Sequence, residues 1–179
     1  LLAGSITFSG GVLTLRGTPG NDRGTVTRAG DRVAVSLAGG GNKRADFDAA
    51  AVQRIVFLGK GGNDRFSNLT DISSLAIGGP GNDVLWQVGA NGLAILQGGD
   101  GDDQLFVGTG TGSADCGPGN DVAFLTPAAQ AADARHQLDR KRIGFAGCES
   151  IQAAPVGAEA PTFAGMADSY KALGVPWDD

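Results

Sequence analysis

The chain reads as an all-β protein, a right-handed parallel β-roll or β-solenoid of about six to seven coils with a short C-terminal tail. Three observations carry this reading. A Gly-Asp turn recurs at near-constant spacing, short apolar segments of strand character fill the intervals, and no 12-residue stretch before residue 126 has helical periodicity.

The turns come first. They read Gly17-Thr-Pro-Gly20-Asn21-Asp22, Gly59-Lys-Gly-Gly62-Asn63-Asp64, Gly78-Gly79-Pro-Gly81-Asn82-Asp83, Gly98-Gly99-Asp-Gly101-Asp102-Asp103 and Cys116-Gly117-Pro-Gly119-Asn120-Asp121. Successive aspartates are 42, 19, 20 and 18 residues apart. The first gap is twice the others, and a degenerate copy, Ala38-Gly39-Gly-Gly41-Asn42-Lys43, falls inside it. A period near 20 residues belongs to a solenoid, in which each coil buries its apolar face on its neighbours.

Two short apolar segments per period supply the strands. The first set is Gly24–Thr27, Ala45–Phe47, Phe66–Asn68, Leu85–Val88, Leu105–Val107 and Ala123–Leu125. The second is Val33–Leu37, Ile55–Leu58, Leu75–Ile77 and Leu93–Leu96. Ile6–Phe8 and Val12–Leu15, around Ser9-Gly10-Gly11, are expected to form the opening rung. The corners opposite the Gly-Asp turns vary, beginning with Ala29-Gly30-Asp31. After Leu125 an Ala-rich and then charged stretch to Lys141 leaves the roll, and Ile143–Ile151 returns as a strand. The roll is therefore assigned to 1–151, a linker to 152–161 and a docking or capping tail to 162–179. In the tail Phe163, Met166, Tyr170 and Leu173 recur at gaps of three and four, followed by Trp177. The pattern suits a cap on the chain's own roll, a contact to another subunit or surface protein, or a disordered end.

Composition narrows the function classes. Glycine, 31 of 179 residues, is more than twice ordinary usage. The net charge of −5 and the lack of a basic block argue against a nucleic-acid partner. No apolar run is long enough for a membrane-spanning helix. The chain starts without Met and without a recognisable leader, as a processed protein or an excised fragment would. Two cysteines, Cys116 and Cys148, suit an oxidising compartment. Paired, they would staple the last coil. Two free buried thiols are the alternative.

The turn has its own chemistry. Gly62, Gly79, Gly81, Gly99, Gly101, Gly117 and Gly119 let corners stack closely and turn main-chain carbonyls towards the space between them. Asp64, Asp83, Asp103 and Asp121 recur in one register, with Asp22 as a weaker member. Stacked carboxylates repel unless a cation separates them, and oxygen-rich shells suit Ca²⁺. About three ions are expected, at 64/83, 83/103 and 103/121. Capping of a tight turn by Asn or Asp is the alternative for any single copy. Lys43 occupies the Asp position of the degenerate copy, either substituting for a cation or pointing to solvent.

These turns resemble the Gly-Gly-x-Gly-x-Asp-x-apolar-x nonapeptide of the haemolysin-type calcium-binding repeats, over roughly residues 17–125. The copies from Gly78 and Gly98 are the cleanest. The stretch Asp115–Asp121 with Gly147-Cys148-Glu149 is similar to the Cys-paired ending of secreted bacterial members. The resemblance implies a parallel β-roll, bound calcium and an extracellular or surface location. Here the calcium corner occurs once per coil, which implies fewer ions than a regular roll holds.

No hydrolase elbow, zinc-protease or phosphate-loop motif is present, and His136, the single histidine, has no metal-spaced companions. An enzyme is not expected. The leading expectation is a calcium-stabilised, secreted or surface structural protein, with self-assembly or docking through the tail. The second is a carbohydrate-binding or accessory module of a larger enzyme or adhesin. Sugar stacking on Trp86 or Phe106 would favour that second reading, and an outer wall including Thr25, Thr27, Ser67, Ser73, Ser74, Thr109 and Thr111 suits packing or sugar contact equally.

Overall fold

A computed structural model describes residues 3–87, 93–108, 112–125 and 144–153. The linker and the tail, with Phe163, Met166, Tyr170, Leu173 and Trp177, lie outside the described residues, as do His136, Thr109 and Thr111. Fifteen strands occur among the described residues: β1 (Ser5–Ser9), β2 (Val12–Arg16), β3 (Arg23–Ala29), β4 (Arg32–Ala38), β5 (Lys43–Asp48), β6 (Arg54–Leu58), β7 (Arg65–Asn68), β8 (Ser74–Pro80), β9 (Val84–Gln87), β10 (Ala94–Asp100), β11 (Gln104–Val107), β12 (Gly112–Asp115), β13 (Val122–Leu125), β14 (Gly144–Ala146) and β15 (Ser150–Ala153).

The strands alternate between two sheets. The seven-stranded sheet runs β1-β2-β6-β8-β10-β12-β14, and the eight-stranded sheet runs β15-β13-β11-β9-β7-β3-β4-β5. From β2 and β3 onward each neighbouring pair within the stack is parallel, so that β2–β3, β6–β7, β8–β9, β10–β11, β12–β13 and β14–β15 form six coils of a β-roll.

The N-terminal part differs from the expected regular coiling. β1 and β2 form an antiparallel hairpin across Gly10-Gly11, whose φ angles are 55° and 80°. β3, β4 and β5 form an antiparallel meander. Its first turn is the two-residue loop Gly30-Asp31, with Gly30 at φ 60°. A two-residue loop can only reverse the chain, because a parallel crossover needs many more residues. The segments Val33–Leu37 and Ala45–Phe47 are thus strands, as expected, but they extend the end of one sheet and add no coil.

The core is one side chain deep from each wall. Leu13, Leu15, Ile55 and Phe57 from the first sheet meet Val26, Phe66, Leu85 and Leu105 from the second, all 0% exposed. Phe57 and Phe66 stack across the interior at 4.7 Å between ring centroids. Opposite the Gly-Asp side, Asn68 fastens its corner: its amide donates to the carbonyl of Ile72, and its Oδ1 accepts from the Thr70 N–H and hydroxyl.

On the far side of the second sheet, Trp86, Phe106 and Phe124 lie in register and stack at 4.0 and 4.6 Å. Trp86 and Phe106 face away from the interior, but both are fully buried, so neither offers a ring to a sugar. Thr25, Ser67 and Ser74 of the expected outer wall are buried as well.

Candidate metal centre

Each Gly-Asp corner joins a strand of the first sheet to one of the second: β2 to β3, β6 to β7, β8 to β9, β10 to β11 and β12 to β13. Parallel registry of both strands stacks these corners directly on one another. The backbone conformation demands glycine. Gly62, Gly79, Gly81, Gly99, Gly101, Gly117 and Gly119 all have positive φ, between 94° and 157°. At Gly101 a Cβ would also collide with the carbonyl of Gly81 in the preceding corner.

Two side-chain ladders of opposite sense tie the corners together. In the inner ladder the N–H of Asp22 donates to Oδ1 of Asp64 at 2.7 Å, Asp64 to Asp83 at 2.6 Å, Asp83 to Asp103 at 2.7 Å and Asp103 to Asp121 at 2.7 Å. In the outer, exposed ladder the N–H of Asn63 donates to Oδ1 of Asn21, Asn82 to Asn63, Asp102 to Asn82, and Asn120 to Asp102, at 2.8–3.0 Å.

The inner ladder corrects the placement of the 38–43 turn. Asp22 bonds directly to Asp64, so no corner lies between them. The turn links antiparallel β4 and β5 and sits beyond Asp22 at the end of the stack, where a Cβ on Gly39 would strike the Asp22 carboxylate. Lys43 is exposed and pairs with Leu37 in the meander, away from the Asp22–Asp64 step.

The sixth corner is instead the shortened turn 147–149 between β14 and β15. There Glu149 takes the aspartate's place, and its Oε2 accepts the N–H of Asp121 at 2.8 Å. The disulfide Cys116–Cys148, with Cα atoms 5.1 Å apart, joins the last two corners.

All five aspartates are at least 97% buried. Oδ1 of each from Asp64 to Asp121 is bound within the ladder, but among the described residues no hydrogen-bond donor reaches Oδ2 of Asp64, Asp83, Asp103 or Asp121. In three corners this oxygen sits in a cradle that only glycine leaves open. A Cβ on Gly59 would collide with Asp64 Oδ2 and the carbonyl of Gly78. Gly78 repeats the arrangement with Asp83 and the Gly98 carbonyl, and Gly98 repeats it with Asp103 and the Cys116 carbonyl.

The ends of the series are closed differently. Asp22 Oδ2 accepts the N–H of Thr18 at 2.6 Å and its hydroxyl at 2.9 Å. At the other end Cys116 places a side chain where the preceding corners have glycine.

Electrostatics agree with the geometry. Burial pushes Asp83 up to about 8 and Asp64 and Asp103 to about 7, against the lowering effect of the bound N–H groups and helped by neighbouring carboxylates. Asp121 is raised by the same burial. Metal-free carboxylates here must hold a proton at neutral pH or bear an uncompensated charge.

A hard cation fits this donor set. No three acidic, His or Cys side chains converge among the described residues, so most ligands would be main-chain carbonyls. The Gly78 and Cys116 carbonyls each accept one N–H already and have a second lone pair to offer. Thr18, Glu149 and the Asn ladder are the parts that sequence reasoning missed. The regular Asn before each Asp was visible as a signal for that ladder, whereas the 28-residue step from Asp121 to Glu149 breaks the period.

No family model, curated protein or solved structure matches the chain. The two stacked parallel sheets and the buried aspartate ladder are nevertheless those of a β-roll.

Proposed function

We propose that this chain is a calcium-stabilised structural module that acts outside the cytoplasm. The observation that carries the reading is the threefold cradle in which a buried carboxylate oxygen of Asp64, Asp83 or Asp103 lacks a donor and faces the next corner's carbonyl. A Ca²⁺ ion in each would supply the missing positive charge, giving about three ions between the corners at 64/83, 83/103 and 103/121.

The Cys116–Cys148 disulfide points to an oxidising compartment, which supports secretion or surface display. A structural role also draws support from the outer face of the first sheet, where Val56, Leu75 and Ile95 lie in register beside Leu58 and Ile77, all half-buried. Such a face suits side-to-side packing more than catalysis. Docking through the tail to self or to another surface protein belongs to the same proposal.

The test is a Ca²⁺ titration of chelator-treated protein, followed by far-UV circular dichroism and bound-ion count. Binding of about three ions with a higher melting temperature is expected. Unchanged melting with no bound ion would leave the corners as turn-formers alone.

A further inference from the structure

The outer face of the seven-stranded sheet is nearly symmetric about its middle strand. β8 is the fourth strand in the order β1-β2-β6-β8-β10-β12-β14, and registry sets the outward side chains in two rows. One row reads Thr14, Val56, Leu75, Ile95, Ser113, and the other Arg16, Leu58, Ile77, Gln97, Asp115. Counted outward from β8, Val56 is balanced by Ile95, Thr14 by Ser113 and Arg16 by Asp115. Leu58 and Gln97 are the one unlike pair. Beyond the charged ends only small side chains follow, Thr7 and Ser5 on β1 and Gly144 and Ala146 on β14.

Val56, Leu58, Leu75, Ile77 and Ile95 are half-buried, and no described strand lies over them. The side chains of Arg16 and Asp115 are exposed and have no ion-pair or hydrogen-bond partner among the described residues. The face thus has an apolar centre with a free cation at one end and a free carboxylate at the other.

We propose that this face binds a second copy of the chain, face to face, about a two-fold axis parallel to β8. The pairing rests on the structural reading above and names the partner of that face. A two-fold interface is made by the same patch on both copies, so the patch must complement itself. Rotation about this axis reverses the stacking direction and keeps the strand direction. Leu75 and Ile77 then meet their own counterparts, Val56 meets the partner's Ile95, and Arg16 meets the partner's Asp115 at both ends. Sheets packed face to face lie about 10 Å apart, a gap that an arginine and an aspartate span together. The other face-to-face two-fold, along the stack, would bring Arg16 and Arg54 of both copies to the same end, where like charges repel. An apolar centre of this size is at the low end for specific interfaces, so association should grow with concentration.

Sedimentation equilibrium of the full chain in calcium, over a wide concentration series, is the test. A monomer–dimer equilibrium is expected. Arg16→Asp and Asp115→Arg should each weaken it at least about tenfold, because each sets like charges opposite one another at both ends. A mixture of these two variants should associate to within about threefold of the parent, and so should the exchanged Arg16→Asp/Asp115→Arg chain, because opposite charges meet again. Circular dichroism melts establish that the variants are folded. A parent that stays monomeric, as it would with its own tail over the face, overturns the assignment. Weakening without rescue in the mixture, or assembly beyond the dimer, overturns it as well. A folded monomer that binds calcium would leave the calcium-stabilised reading standing, whereas a dimer that binds none would overturn that reading and not this one.

Discussion

Asp83 concentrates the physics of this molecule in one side chain. Its Oδ1 is held by the Asp64 N–H, while its Oδ2 is buried beside the Gly98 carbonyl with no donor among the described residues. Asp83→Asn keeps the acceptor and replaces the charged oxygen by an amide that can donate. In chelator near pH 8 the variant should be more stable than the parent by roughly 1–3 kcal/mol, the usual cost of an unsatisfied buried group. With calcium the order should reverse and the bound-ion count should fall. Urea melts with and without calcium read both effects.

Thr18 gives the complementary case, since its hydroxyl and N–H already supply donors to Oδ2 of Asp22, leaving Oδ1 as the oxygen without one among the described residues. Thr18→Ala should cost about 1.5–3 kcal/mol, the range for a hydrogen bond to a charged group, with no change in ion count. Lys60 is the one residue other than glycine with positive φ among those described, at 93°. Lys60→Gly should therefore raise stability by about 1 kcal/mol in the same melts.

Among the elements, the terminal coil has the least to hold it. β14 and β15 are three and four residues long, the sixth corner is shortened, and Ile151 is 50% exposed. The disulfide closes a span of 32 residues, for which chain entropy gives about 3–4 kcal/mol. Reduction, or a Cys116→Ser/Cys148→Ser variant, should lower stability by an amount of that order. Amide exchange should accelerate first in 144–153 and leave β8 to β11 protected.

This element was legible only in part. The return of the chain after the insertion was expected as a single strand, whereas it forms two with a corner between them. β12, Gly-Ser-Ala-Asp, carries one buried apolar side chain, Ala114, too little for a periodicity signal. The middle coils were plain because Phe66, Leu85 and Leu105 recur two residues after each Asp. The meander was misread as coiling because Val33, Val35 and Leu37 alternate in an antiparallel strand just as in a parallel one. The connection was the discriminating feature, through the two-residue Gly30-Asp31 loop.

For the whole molecule, the inner ladder links stability to protons and calcium together. In metal-free protein the folded-state values of Asp64, Asp83 and Asp103 are about 7, 8 and 7, against 3.8 for an ordinary Asp. Between those limits the folded chain holds more protons than the unfolded one. Stability must then fall as pH rises from about 4 to about 8, with little slope from these groups outside that window. Calcium would remove the need for the protons. With the carboxylates ionised and paired to the ion, their folded-state values drop below the unfolded ones, so the stability they give is present above about pH 4 and is lost on acidification. Melting temperatures in chelator and in saturating calcium should therefore be close near pH 4 and diverge progressively to pH 8. Calcium binding near neutral pH should also release protons, which calorimetry detects as a dependence of the heat on buffer ionisation enthalpy. Parallel melting curves across this range, with no proton release, would mean that the buried carboxylates are satisfied without an ion, and that the ladder's hydrogen bonds alone hold the corners in register.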